Sequence, residues 1–473
     1  MKKFVAALAA SVAVLGMGAA TASADNITWG VNDDAGKYEN GVGPFWTTLL
    51  GVGMTSDTIT LRWDETSATG FDGSEANFVG RSLAAAKAAG VEVTLDVYPR
   101  HSAALSNPAN AAKFATWVSS LAKSYPYVKE FVVMNECNTS LFTNPQYSGG
   151  KNVSAPACGA FLAAAYDGLK AVDSSIFVWG LGLSPRGNPV PKNGRDTRAT
   201  DPIDWLAFLG SWYRQSGRTA PLMDGLDVHP YPIPQNLPFE AGYHDPTAFS
   251  VTNLPRVYQA FYSAFQGTGQ KTVGPGRLPV SLNEVGIQTV PTGAVAADYT
   301  GSENASGQGV KGTTGGEAYQ AAWYRKLVDF SLCDADIAKV NIFKLVDESA
   351  LEGWQSGLFF QGYVPKASAA TFKSEVAKTA GKCPAGSASY FAPGGRSTAT
   401  PGQQSAKPNK TGKPTKATKP DKTAKPAKGT TPTEPAKPAK GATPTEPAKP
   451  AKATEPTGPA KPGEQPTKPG KHK

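Results

Sequence analysis

Residues 27–384 alternate between two textures. Short β-rich runs begin at Ile27 (ITWGV), Thr58 (TITLRW), Val91 (VEVTLDVY), Val128 (VKEFVVM), Ile176 (IFVWGL), Met223 (MDGLDVH), Leu278 (LPVSL) and Ile337 (IAKVNIF). Between and after them lie segments with apolar residues at helical spacing, over 78–89, 111–125, 159–172, 203–215, 254–265, 317–332 and 368–380. A weaker helical segment follows the first run, near Pro44–Leu50. The runs read as near-continuous apolar strands, the pattern of a parallel sheet buried on both faces. Eight strand–helix repeats in one domain of this length predict a (β/α)8 TIM barrel rather than an open doubly wound sheet. The glycine pairs Gly41/Gly43 and Gly51/Gly53 lack the third glycine and the strand–turn–helix setting of a phosphate loop, so they read as turns.

Both ends of the chain have another character. Lys2 and Lys3, an apolar small-residue stretch from Phe4 to Ala20, and Ala22-Ser-Ala24 before Asp25 form a secretory signal pattern over residues 1–24. No other apolar run reaches the roughly 20 residues of a membrane span. From about Gly386, Lys, Pro, Thr and Ala take over, and the segment TPTEPAKPAK occurs at 431–440 and again at 443–452. Such a composition predicts a disordered, extended tail over 386–473. The tail holds 17 Lys and Arg against 5 Asp and Glu, a net of +12; the whole chain is +9, so residues 1–385 carry −3. The basic character therefore belongs to the tail. In an exported protein of bacterial type it would attract an anionic cell-wall polymer or acidic lipid head groups, or act as a solvated spacer. Nucleic acid is not an expected partner, since no aromatic residues are interleaved with the lysines for stacking.

The middle part, 25–385, contains Cys137, Cys158, Cys333 and Cys383. An even count in an exported chain suggests two disulfides, and nearest-neighbour pairing, Cys137–Cys158 and Cys333–Cys383, closes the shortest loops. Metal binding is the weaker alternative, because no cysteines have ligand spacing and His101, His229, His244 and His472 are scattered. Neither metal nor cofactor is expected. A Gly-x-Ser-x-Gly nucleophile turn is absent.

The chemistry concentrates in two runs with the same ending: FVVMNE, closing on Asn135-Glu136, and PVSLNE, closing on Asn283-Glu284. Buried strands seldom end in carboxylates that have nothing to do. By strand count, Glu136 closes the fourth strand and Glu284 the seventh, and TIM-barrel sites lie at the C-terminal ends of the strands. Two carboxylates facing one cleft are the machinery of glycoside hydrolysis.

On these motifs the chain resembles the clan A, or 4/7 superfamily, retaining glycoside hydrolases. The resemblance implies that Glu136 is the acid/base and Glu284 the nucleophile, with Asn135 available to a sugar 2-hydroxyl. It also implies that Arg62, ending strand two, holds the nucleophile ionised, and that His229 and Tyr231, ending strand six, contact the nucleophile and the sugar. Trp354, after strand eight, offers a face on which a sugar ring can stack; Tyr98 and His101 after strand three are further candidates. Cys137 stands where many members have Pro, which blurs the subfamily. The expectation is a secreted, monomeric β-glycosidase acting on a β-linked poly- or oligosaccharide. A non-catalytic carbohydrate-binding barrel tethered by its tail, and a transglycosylase using the same glutamates, remain open alternatives. Long Gly-, Pro-, Asn- and Thr-rich loops over 140–157, 186–201, 233–252 and 290–316 would wall the cleft.

Overall fold

In the computed structural model the described residues are 27–39, 41–188, 198–274, 278–302 and 315–385. The signal pattern and the basic tail lie outside them. Eight parallel strands close into a barrel: β1 (Thr28–Asn32), β2 (Ser56–Trp63), β3 (Glu92–Pro99), β4 (Glu130–Val133), β5 (Phe177–Leu183), β6 (Gly225–Val228), β7 (Val280–Val285) and β8 (Ile337–Phe343). Each strand pairs with its sequence neighbours, and β1 pairs with β8 to close the ring. The helices are α1 (Ala35–Tyr38), α2 (Phe45–Gly51), α3 (Glu75–Ala89), α4 (Ala109–Ser124), α5 (Ser154–Val172), α6 (Pro202–Gln215), α7 (Leu254–Phe265), α8 (Gly316–Cys333) and α9 (Ala367–Thr379). This is the TIM barrel that the alternation of textures predicts.

Local chemistry explains the elements. Helix α7 buries Leu254, Val257, Phe261, Ala264 and Phe265, one stripe at spacings of three and four. Helix α3 stops at Gly90, whose φ of +77° suits a left-handed C-terminal cap. Helix α5 begins at Ser154, ahead of the expected Gly159. Asn152 Oδ1 accepts from the Ala155 N–H at 3.0 Å, and Pro156 is tolerated in a first turn. Before it, Tyr147–Ser148 pairs antiparallel with Lys151–Asn152.

The strands differ from expectation in one respect. Their outer faces are apolar, with Val31, Ile59, Leu61, Leu95 and Val97 buried under the helices. The lumen, however, is polar. Thr58 Oγ1 donates to Asn283 Oδ1 at 2.9 Å, and Asn341 Nδ2 donates to Asn283 Oδ1 and Thr58 Oγ1 at 2.8 and 2.9 Å. Deeper in, Lys339 Nζ bonds Thr94 and Glu130, and Trp179 Nε1 donates to the same Glu130 carboxylate at 3.1 Å. These mutual bonds offset much of the cost of burying the groups, although Asn283 Nδ2 and Asn341 Oδ1 have no hydrogen-bond partner among the described residues. The runs look apolar in sequence because Thr, Ser and Asn break the pattern only weakly.

The disulfides are Cys137–Cys158 and Cys333–Cys383, the pairing favoured from the sequence. The first ties the segment after β4 to α5; the second ties the end of α8 to the chain beyond α9. No helix among the described residues is long and apolar enough to cross a membrane.

Candidate active site

Strict alternation cannot place both Asn283 and Glu284 inside the barrel, because neighbouring strand residues face opposite ways. The structure resolves this with a bulge. Val340 pairs with Leu282, but Ile342 pairs with Val285, so β7 has one extra residue against β8. Asn283 joins the lumen network and Glu284 is carried into the mouth. A second bulge lies on β5, where Gly180 pairs with Leu226 and Leu183 with Val228.

Beyond β4 the chain turns sharply. Met134 and Glu136 have φ of +73° and +39°, Leu181 and Gly182 have +95° and +49°, and Lys344 has +104°. Left-handed backbone at non-glycine residues is strained, by of order 1–3 kcal/mol each, and persists where surrounding structure fixes it. Here it aims Glu136: its N–H donates to Gly182 O at 2.9 Å. Gly182 itself is sterically required. A Cβ there would sit 2.9 Å from Asn135 Oδ1 and 3.1 Å from the His229 ring.

These turns bring Glu136 and Glu284 together. One side-chain nitrogen or oxygen from each of Glu136, His229 and Glu284 lies within 4.8 Å of the other two. His229, fully buried, sits between the two carboxylates: Nδ1 is 3.2 Å from Glu136 Oε1 and 3.5 Å from Glu284 Oε2. The Tyr231 hydroxyl donates to Glu284 Oε2 at 3.0 Å, and Asn32 Nδ2 donates to Oε1 at 3.4 Å. Asn135 is buried and its Oδ1 has no hydrogen-bond partner among the described residues. Trp354 lies 4.7 Å from the Tyr231 ring at a 34° tilt and edge-on to Phe343 at 5.4 Å, so three aromatics line the Glu284 side. Tyr98 is the penultimate residue of β3 and packs edge-on against Phe142, 5.4 Å away.

Two candidates are placed elsewhere. Arg62 puts its guanidinium 2.5 Å from Asp72 and 4.0 Å from Glu75, with 45% of its side chain exposed. The positive groups acting on Glu284 are His229 and Lys344. Asp72, just before α3, and Glu75, its first residue, hold the arginine at the rim. His101 also stands at the rim, 3.1 Å from Glu65. Asn32 and Lys344 were missed by the sequence reading. Asn32 ends β1 and Lys344 directly follows β8, and a polar residue at that end was the available signal.

The electrostatics are governed by burial. Burial pushes the Glu284 carboxyl up, as does Glu136, while His229, Tyr231 and Lys344 favour its ionised form. Burial opposes charge on Lys344, but Asp33, Glu348, Asp34 and Glu284 outweigh it and push the ammonium up to about 12. Burial likewise opposes charge on His229, and Glu284, Asp227 and Glu136 together raise it well above its ordinary value. Asp57 and Asp96 are pushed well above the usual carboxylate range, mainly by burial.

These shifts have one thermodynamic sign. A group that holds its proton more tightly when folded adds stability at low pH and loses it as pH rises through the folded value. Asp57, Asp96, Glu284 and His229 all behave this way, the carboxyls from above about pH 4 and His229 from above about 6.5. The melting temperature is therefore expected to fall as pH rises from about 5 to 8. Thermal melts across that range check it, and a rising melting temperature would contradict the assignment of buried protons.

No protein-family model and no curated protein matches this sequence. Solved structures do match at the level of the barrel. A family 39 glycoside hydrolase from Bacteroides cellulosilyticus WH2 is 14% identical over 74% of this chain and 64% of that one, with a TM-score of 0.46. GH5_18 from Streptomyces cattleya in complex with GlcNAc is 14% identical over 75% and 80%, with a TM-score of 0.46. The exo-β-1,4-mannosidase Op5Man5 from Opitutaceae bacterium strain TAV5 is 15% identical over 78% and 60%, with a TM-score of 0.45. The chain spans less than two thirds of the length of the first and third. At this distance the likeness assigns no activity.

Proposed function

We propose that this protein is a retaining β-glycosidase, with Glu136 as acid/base and Glu284 as nucleophile. The observation that carries the reading is the approach of the two carboxylates to within 4.8 Å across one mouth. Retaining enzymes hold their carboxyl groups about 5–5.5 Å apart, whereas inverting enzymes leave roughly 6.5–9.5 Å for a water between them.

The residues then have complementary tasks. In the first step Glu284 attacks the anomeric carbon while Glu136 gives its proton to the departing glycosidic oxygen, and an ester links sugar to Glu284. In the second, Glu136 takes a proton from water, the water oxygen attacks the anomeric carbon, and Glu284 leaves as carboxylate. The hydrogen bonds from Tyr231 and Asn32 orient Glu284 and support its charge before attack and after release. Asn135 adjoins Glu136 at the mouth, and the aromatic wall of Tyr231, Phe343 and Trp354 suits the C–H face of a pyranose. The substrate class is a β-linked poly- or oligosaccharide, met outside the cell that exports the protein.

The test is stereochemical. The protein is incubated with β-glucan, mannan, xylan, galactan and aryl β-glycosides, and the first-formed anomer of any product is read by proton NMR. The reading predicts a β-anomer that mutarotates later. An α-anomer, or no release from any of the panel, would end it.

A further inference from the structure

Beneath the site lies a buried carboxylate that the two-step reaction does not use. Asp227 on β6 precedes His229, the first residue past the strand's end, by two residues, so both side chains face the lumen, with Asp227 one layer deeper. Its Oδ2 lies 3.7 Å from His229 Nε2, and both side chains are fully buried. Neither Asp227 oxygen, nor His229 Nε2, has a hydrogen-bond partner among the described residues. Burial pushes the Asp227 carboxyl up, while His229, Ser281 and Lys339 favour its ionised form; two complementary groups facing each other away from water are costly to bury unless they act as a pair.

His229 is surrounded by acid. Glu136 faces it from the turn after β4, Glu284 from β7, Asp227 from its own strand and Asp96 from β3. The backbone of Gly182 on β5 closes the remaining side, and the Tyr231 ring lies 6.5 Å away. Lys339 of β8 acts on Asp227 and Lys344 on Glu284. Among the acidic neighbours only Asp227 addresses Nε2; Glu136 and Glu284 share Nδ1.

We propose that Asp227 is a positioning residue for the reaction: it fixes the ring orientation and the charge of His229 from below, so that Nδ1–H serves both catalytic carboxylates at once. A neutral imidazole has one N–H and could satisfy only one side; the imidazolium donates from both. Asp227 thereby acts on Glu136 and Glu284 through His229 without touching substrate. The catalytic meaning rests on the glycosidase reading, but the pairing does not.

The test uses the full chain with 15N-labelled histidine. Imidazole spectra are recorded against pH for the unaltered protein and for Asp227→Asn, Asp96→Asn and, to assign the signal, His229→Gln. In the unaltered protein both ring nitrogens of His229 are expected to be protonated at pH 7. In Asp227→Asn the ring should titrate at a proton concentration at least about tenfold higher. Asp96→Asn should leave the midpoint nearly in place, since the ion pairs of the ring among the described residues run to Glu136, Asp227 and Glu284 and not to Asp96. A neutral His229 in the unaltered protein overturns the proposal, and so does an unchanged midpoint in Asp227→Asn. If Asp227→Asn does not fold, the first of these measurements still decides. No substrate is needed, so a protein that cleaves no glycoside but shows the shift loses the catalytic reading and keeps the pairing. Where a cleaved substrate is found, the alkaline limb of kcat should move to lower pH in Asp227→Asn with KM little changed.

Discussion

Glu284→Gln is expected to lower kcat on every cleaved glycoside by about 10⁴- to 10⁶-fold, because removing a nucleophile takes away the intermediate and with it the two-step route. Glu136→Gln should behave differently. It removes proton donation, worth about 10²–10⁴-fold, and that loss should shrink for aryl glycosides whose phenolate leaves without help. The two variants are thus distinguished by leaving-group dependence, measured as kcat/KM across aryl glycosides of graded phenol acidity. Equal losses on all leaving groups for Glu136→Gln would remove it from the acid role. Retention of more than a few percent of activity in Glu284→Gln would remove Glu284 from the nucleophile role. Neither change should unfold the barrel, since both side chains lie at the mouth and Gln preserves their shape.

Lys366→Met should give the largest loss of stability, about 3–5 kcal/mol, because it strands a buried carboxylate. Lys366 Nζ is 2.7 Å from Asp347 Oδ1, and both side chains are fully buried. The same ammonium donates to Thr289 Oγ1 at 2.9 Å and to Gln355 O at 3.1 Å. Asp347 also accepts from the Gly357 N–H at 2.8 Å and from the Tyr299 hydroxyl at 2.8 Å. The network therefore locks the segment after β8 that carries Trp354. Denaturant unfolding measures the loss, and Trp fluorescence reports whether the segment loosens. A double change, Lys366→Met with Asp347→Leu, should recover much of the stability, as an apolar pair of similar volume needs no counter-charge. A loss below 1 kcal/mol in the single variant would show that water reaches this site.

The parts of the molecule that were legible in the sequence are those decided by local periodicity. Strand–helix alternation gave the barrel, strand ends gave Glu136 and Glu284, and the His229-Pro-Tyr231 ending of β6 placed two neighbours of Glu284. Arg62 was misjudged because its strand position said nothing about Asp72 and Glu75, which reach it only when α3 packs on the barrel. Asn32 was missed because its partner is 252 residues away. The polar lumen was hidden for another reason. Thr58, Asn283 and Asn341 come from three strands, and no single run shows that their side chains bond each other. The residues of β7 show alternation failing at a bulge, as it fails again on β5, and no run of sequence marks either break.

That extra residue in β7 has a further consequence. Because Asn283 alone completes the ring of bonds with Thr58 and Asn341, the neighbouring glutamate is not needed to close the barrel. The strand thus divides labour between adjacent positions, one keeping the architecture and one left for reactivity. Side chains of other chemistry can be tried at 284 without spending the scaffold's integrity, which makes this position a natural starting point for giving the barrel a new reaction.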